Sequence, residues 1–164
     1  SVFTNNLEMM TGKKPIGCCY LVGHCLSQGF NGYGLVAKEV SGNLILQDKN
    51  RKSIVYGKSI YKGKLVGYYH TWCTLDYNGE TIIVDPSLKY LKLVLKGSGI
   101  KLNQNLPDCL ISTEIKTWYY NYIEDSTLVP QSKSYLETVD NALIDYLVTS
   151  VKDTAQAIEF SIKY

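Results

Sequence analysis

The residues that could do chemistry in this sequence cluster around one of its two histidines, in the stretch YYHTWCTLDYNGETIIVDPS from Tyr68 to Ser87. His70 and Asp85 flank an Asn78-Gly79 pair, the strongest short-range signal for a two-residue β-hairpin turn. Such a turn pairs Tyr77 with Glu80, and so sets Trp72 opposite Asp85 and His70 opposite Ser87. Residues two apart share a face of the sheet, so His70, Trp72 and Asp85 point the same way. His70 and Asp85 become diagonal neighbours, about 7–8 Å apart at Cα. A carboxylate at that reach can orient an imidazole and stabilise its protonated form, the supporting role in a nucleophile–base–acid triad. Each residue also has a plainer reading. His70 alone would be a core histidine bonded to a carbonyl, and Asp85 before Pro86 a strand-ending turn former.

A triad needs a nucleophile, and two adjacent cysteines, Cys18 and Cys19, follow Gly17 at the start of CCYLVGHCLSQ. Leu21, Val22, Cys25 and Leu26 recur at three-and-four spacing, which predicts a short buried helix, with Gly29 placed to stop it. Unpaired N–H groups and the positive end of the helix dipole at such an N-terminus favour a thiolate and can donate to an oxyanion. Either cysteine could serve, and a small apolar residue in a buried helix is the competing role for both. His24 and Cys25 lie further along the same helix, but neighbours in sequence point in different directions, so a metal site is not expected.

The elements that must position these groups follow from the pattern of apolar residues. YGLVAKEV, SGN and LILQD read as a hairpin from Tyr33, KSIVYG as a further short strand, and LVGYYHTWCTLDY with TIIVD as a second hairpin. The middle of the chain is therefore expected to be an antiparallel sheet. LKYLKLVLKG fits helix or strand. Ser134 and Glu137 form a capping box ahead of an apolar stripe through Leu136, Val139, Leu143, Tyr146, Leu147 and Val151, which predicts a helix over roughly Tyr135 to Lys152. The order is helix, sheet, helix: an α+β chain of one domain over 1–164.

Bulk composition narrows the classes. A length of 164 residues with 45% apolar and 20% charged side chains suits one globular domain. The net charge is only +2 and Arg51 is the sole arginine among 17 basic residues, which argues against nucleic acid as a partner. No apolar run approaches a membrane span and no signal-peptide layout is present, so neither membrane nor export is expected. Five cysteines, Cys18, Cys19, Cys25, Cys73 and Cys109, follow no disulfide or zinc spacing and suit a reducing, cytoplasmic setting. WYYNY at 118–122 is a dense aromatic run of the kind found in cores and interfaces, and Lys89, Lys92, Lys96 and Lys101 read as a solvated face.

Taken together, PIGCCYLVGHCLSQGFNGYGLVA and HTWCTLDYNGETIIVDPS resemble the active-site helix, H-x-W strand and D-P-[ST] strand of the transglutaminase-like, papain-like superfamily of cysteine enzymes. The resemblance covers about residues 15–90, with 91–164 as a C-terminal extension. It implies a helix bearing Cys19 packed on an antiparallel sheet, with Cys19 as nucleophile, His70 as general base and Asp85 as orienting acid. Trp72 takes the aromatic position beside the histidine, and Trp72 and Cys18 become candidate substrate contacts. The implied activity is hydrolysis of a peptide or isopeptide amide through an acyl-enzyme, with no metal or organic cofactor and a peptide or protein as substrate. The alternatives are acyl transfer to an amine, as in crosslinking transglutaminases, and a non-catalytic interaction module that keeps the fold.

Overall fold

The structure is a computed structural model that describes residues 18–58, 63–103, 106–129, 137 and 139–151. It is α+β, with an N-terminal helix, a mixed sheet of seven strands and a C-terminal helix. Helix α1 spans Cys19–Gly32. It is followed by strands β1 (Val36–Gln47), β2 (Ser53–Tyr56), β3 (Lys64–Gly67), β4 (His70–Tyr77) and β5 (Glu80–Asp85). Helix α2 covers Leu88–Gly97, strands β6 and β7 cover Leu110–Ser112 and Tyr120–Glu124, and helix α3 covers Asn141–Thr149. The sheet runs β3-β2-β1-β4-β5-β6, with β7 paired to β1. No helix among the described residues is long and apolar enough to cross a membrane.

The β4–β5 hairpin has the expected register, from Tyr77–Glu80 to Cys73–Val84. Asn78 and Gly79 both adopt positive φ, 51° and 79°, the left-handed pair that a type I′ turn requires. Trp72 and Asp85 are therefore next in register beyond the ladder, as the turn dictates.

Four expectations need correction. First, residues 36–47 form one strand and not a hairpin, because Ser41, Gly42 and Asn43 are buried and paired. Gly42 is matched with His70 on β4 and with Glu124 on β7, and Ser41 Oγ shares a 2.8 Å hydrogen bond with Thr71 Oγ1. Second, the run from Leu65 to Tyr77 breaks at Tyr68 and Tyr69, and its first part, β3, lies parallel to β2, so the sheet is antiparallel except for this pair. Third, α1 continues through Gly29 to Gly32. Gly29 is a contact point, where an added Cβ would collide with Val151, and the left-handed residue after the helix is Gly34 at φ 92°. Fourth, α3 begins at Asn141, capped by Asp140 Oδ1, which accepts the Ala142 N–H at 2.9 Å. Ser134 of the expected capping box lies outside the described residues, and Glu137 sits in a turn.

Two apolar layers sandwich the sheet. One joins Leu21, Val22, Cys25, Leu26 and Phe30 of α1 to Cys73 and Leu75 of β4, Ile82 and Val84 of β5, and Leu147 of α3. The other joins Val40, Leu44, Trp72, Ile83 and Tyr122 of the sheet to Leu88, Leu91 and Leu95 of α2. Alternation places His70 and Trp72 on the second face, so the body of α1 packs on the side away from His70. Only its first turn reaches the histidine. That close seating depends on Gly23, where a Cβ would stand 3.0 Å from the Thr71 methyl and 3.3 Å from the Trp72 backbone.

Candidate active site

His70 opens β4 and Asp85 closes β5, so the two lie at the same end of one hairpin. Their side chains meet, with His70 Nε2 and Asp85 Oδ2 2.7 Å apart, and both residues are buried. The carboxylate is held on every side. Its Oδ2 also accepts the Tyr122 hydroxyl at 2.7 Å, while Oδ1 accepts the Ser87 N–H at 3.1 Å and the Ser87 hydroxyl. The Asp-Pro-Ser turn thus supplies two donors from its own chain, and β7 supplies a third.

β1 acts as the ruler that gathers the aromatic walls. Gly42 is the partner of His70, and Leu44, two residues on, is the partner of both Tyr56 and Tyr122. Cross-strand partners share a face, so His70, Tyr56 and Tyr122 converge on one side of the sheet. The imidazole lies 6.1 Å from the Trp72 ring at an interplanar angle of 20°, 6.1 Å from Tyr122 and 6.3 Å from Tyr56. Trp72 is itself closed off by Tyr122, edge-on at 5.0 Å.

Burial penalises charge on both members of the pair, and their mutual attraction opposes it. At the imidazole, burial pulls the pKa down, but the Asp85 charge and hydrogen bond, with smaller help from Cys19, raise it to about 10. At Asp85, burial pushes the pKa up. The charge of His70 and the hydrogen bonds from His70, Ser87 and Tyr122 overcome that push and leave it below the usual carboxylate range. The pair therefore rests as imidazolium and carboxylate at neutral pH.

With Nε2 committed to Asp85, the ring has Nδ1 left. That atom is buried and makes no hydrogen bond of regular geometry among the described residues. The Cys19 side chain lies within hydrogen-bonding influence of the ring and lines the same cavity as His70. Such contacts are often long without substrate. Cys18 is placed differently, as the buried N-cap residue of α1 and part of its apolar layer. Burial, reinforced by Cys19, pushes its thiol up to about 12. Burial likewise raises Cys25 and Cys109 to about 12 and raises Cys73. Cys19 is thus the cysteine that the fold brings to His70 and Asp85.

The cavity measures about 270 Å³ and is walled by Cys18, Cys19, Tyr56, Val66 to His70, and by Ser87, Tyr90, Leu91 and Val94 of α2 and its lead-in. Tyr68 stands at its rim, 81% exposed. Trp72 does not line it and instead backs the imidazole, whereas Cys18 does line it. The Tyr56 hydroxyl is buried with no hydrogen-bond partner among the described residues, a state that costs about 1–3 kcal/mol. His24 sits apart, with Nδ1 3.4 Å from Glu39 Oε1. Glu39 also accepts from Ser27, and these contacts hold its carboxyl down at about 2. No group of three or more His, Cys, Asp or Glu side chains among the described residues could hold a metal ion.

Three residues of the site were not named as site residues from the sequence. Tyr56 sits in a short strand, and Tyr122 in the aromatic run read as core. Ser87 stood opposite His70 in the predicted register and closes the D-P-[ST] motif, and both were signs of its contact with the pair.

No family model matches this sequence, and no curated protein does. The fold is similar to a solved one, the crystal structure of genomics APC5867, with a TM-score of 0.56 over 90% of this chain and 73% of that chain. Sequence identity between the two is 9%, so the likeness is one of fold.

Proposed function

We propose that this chain is a transglutaminase-like cysteine enzyme that hydrolyses a peptide or isopeptide amide through an acyl-enzyme on Cys19. One observation carries this reading. A buried His70–Asp85 ion pair leaves a single ring nitrogen free, and the first residue of α1 brings a half-buried thiol to that ring. A purely structural histidine would have no reason to keep a buried nitrogen unpaired.

The resting imidazolium sets the order of proton transfers. Cys19 sulfur, as thiolate, attacks the carbonyl carbon, and the C=O electron pair moves to oxygen. Collapse of that intermediate breaks the C–N bond, and His70 Nδ1 gives its proton to the departing amine. The neutral ring then takes a proton from water as that water attacks the thioester, and the carboxylic acid leaves with Cys19 restored. Asp85 holds Nε2–H throughout and fixes which nitrogen faces the sulfur. Among the described residues His70 is the one ionisable base in the cavity wall and no Lys, Arg, Asp or Glu lines it, which suits an uncharged acyl group.

p-Nitrophenyl acetate tests the reading without knowledge of the natural substrate. The expected result is one acetyl group on Cys19, seen by peptide mass spectrometry, followed by its loss to water as acetate. Cys19→Ala should abolish the adduct and the catalysed release of nitrophenolate. Equal release by the wild-type and Cys19→Ala proteins would reject the enzyme reading. Persistence of the thioester until a primary amine is added would favour acyl transfer over hydrolysis.

A further inference from the structure

We infer that the Tyr56 hydroxyl is the side-chain donor that receives the oxyanion when Cys19 attacks a carbonyl. The inference rests on the enzyme reading above and adds a residue that the triad does not include. Tyr56 Oη is buried, has no hydrogen-bond partner among the described residues, and belongs to a residue 6% exposed in the wall of the cavity shared by Cys19 and His70. Among the described residues the only other buried side-chain polar atom without a partner is His70 Nδ1, the atom assigned to the proton transfer. Two unpaired polar atoms on residues that line one cavity are what an acyl-transfer site requires: one to move the proton and one to meet the new negative charge.

The chemistry of the phenol fits the role. Burial, with the negative charge of Cys19 as a second cause, raises its pKa well above the ordinary value, so it keeps its proton and serves as a hydrogen-bond donor. When the thiolate adds to the carbonyl, the S–C bond forms and the C=O pair becomes a lone pair on oxygen. Tyr56 O–H donates to that oxygen without giving up its proton. N–H groups of the first turn of α1 have no partner within the helix and can share the charge. The ring stands close against Gly67, where an added Cβ would lie 2.8 Å from Tyr56 Cδ1.

Tyr56→Phe removes one oxygen that makes no hydrogen bond among the described residues, so the fold should be retained. Two reagents then separate the effects. Iodoacetamide alkylates sulfur by direct displacement at carbon and forms no oxyanion; p-nitrophenyl acetate forms one. Tyr56→Phe is expected to slow single-turnover acetylation of Cys19 by roughly 10²-fold, while Cys19 alkylation stays within about twofold of wild type. Gly67→Ala, which displaces the ring, should slow acetylation in the wild-type background and add little to Tyr56→Phe. Unchanged acetylation in Tyr56→Phe would overturn the inference, as would equal losses with both reagents, which would make Tyr56 a support of the Cys19–His70 contact. If wild-type Cys19 reacts with neither reagent faster than the other cysteines, the enzyme reading itself fails, a result distinct from either of these.

Discussion

His70→Gln is expected to leave a folded protein whose Cys19 is acetylated by p-nitrophenyl acetate roughly 10³-fold more slowly than in wild type at neutral pH. Glutamine can still present an N–H to Asp85, so the carboxylate keeps a donor in addition to Ser87 and Tyr122. What is lost is a cation facing the sulfur and a group that can exchange a proton. The loss should appear in the rate of the acylation step and not in the apparent affinity for the ester, because the ring lends little surface to the cavity. Rapid-mixing measurement of nitrophenolate release, with a urea melt to show that the fold is kept, checks both parts. A loss below tenfold with the fold intact would remove His70 from the chemistry.

Asp85 is expected to show the largest effect on stability. Truncation by Asp85→Ala leaves a buried imidazole and the Tyr122 hydroxyl without their acceptor, and should cost about 3–5 kcal/mol in urea unfolding. A buried ion pair is weak support for stability relative to a well-packed apolar core, whereas removal of one partner alone is costly.

The sign of the pH dependence follows from the two shifts. His70 is raised, so its contribution is complete below its ordinary pKa of 6.5 and is lost as pH rises through about 10. Asp85 is lowered, so its contribution is complete above its ordinary value of 3.8 and is lost as pH falls through the folded value. Wild-type stability should therefore hold between about pH 4 and 6.5 and decline toward pH 10, and the decline should be much reduced in Asp85→Asn. In that variant burial acts on the ring against only the smaller help of Cys19, so the alkaline fall in acylation should move from near pH 10 to lower pH. Parallel stability curves for wild type and Asp85→Asn would contradict the coupling.

The part of this site that was legible in the sequence is the part that local geometry controls. Asn78-Gly79 permits one tight turn, that turn fixes one register, and the register carries His70 and Asp85 to the same end of the hairpin. α1 was visible because its apolar spacing is regular, but that spacing left Cys18 and Cys19 both open, and the choice of Cys19 rested on the resemblance. The errors have physical causes as well. SGN looked like a turn because small and polar residues usually make one, yet here Ser41, Gly42 and Asn43 are the buried centre of a strand that pairs on both edges. Gly29 looked like a helix stop, while its value lies in the close approach of Val151 from a segment more than a hundred residues away. Tyr56 and Tyr122 reach the site through pairings with Leu44, and long-range pairing leaves no trace in the local pattern around a tyrosine.

The central claim is that Cys19, held against the His70–Asp85 pair, is the reactive thiol of the chain. The most direct test is site-resolved alkylation of all five cysteines by iodoacetamide between pH 6 and 9, followed by peptide mass spectrometry. The expected result is that Cys19 is labelled at least tenfold faster than Cys18, Cys25, Cys73 and Cys109, whose thiols burial holds in the protonated form, and that His70→Gln removes the excess. Uniform, slow labelling of the five, or an excess at Cys19 that survives His70→Gln, would contradict it.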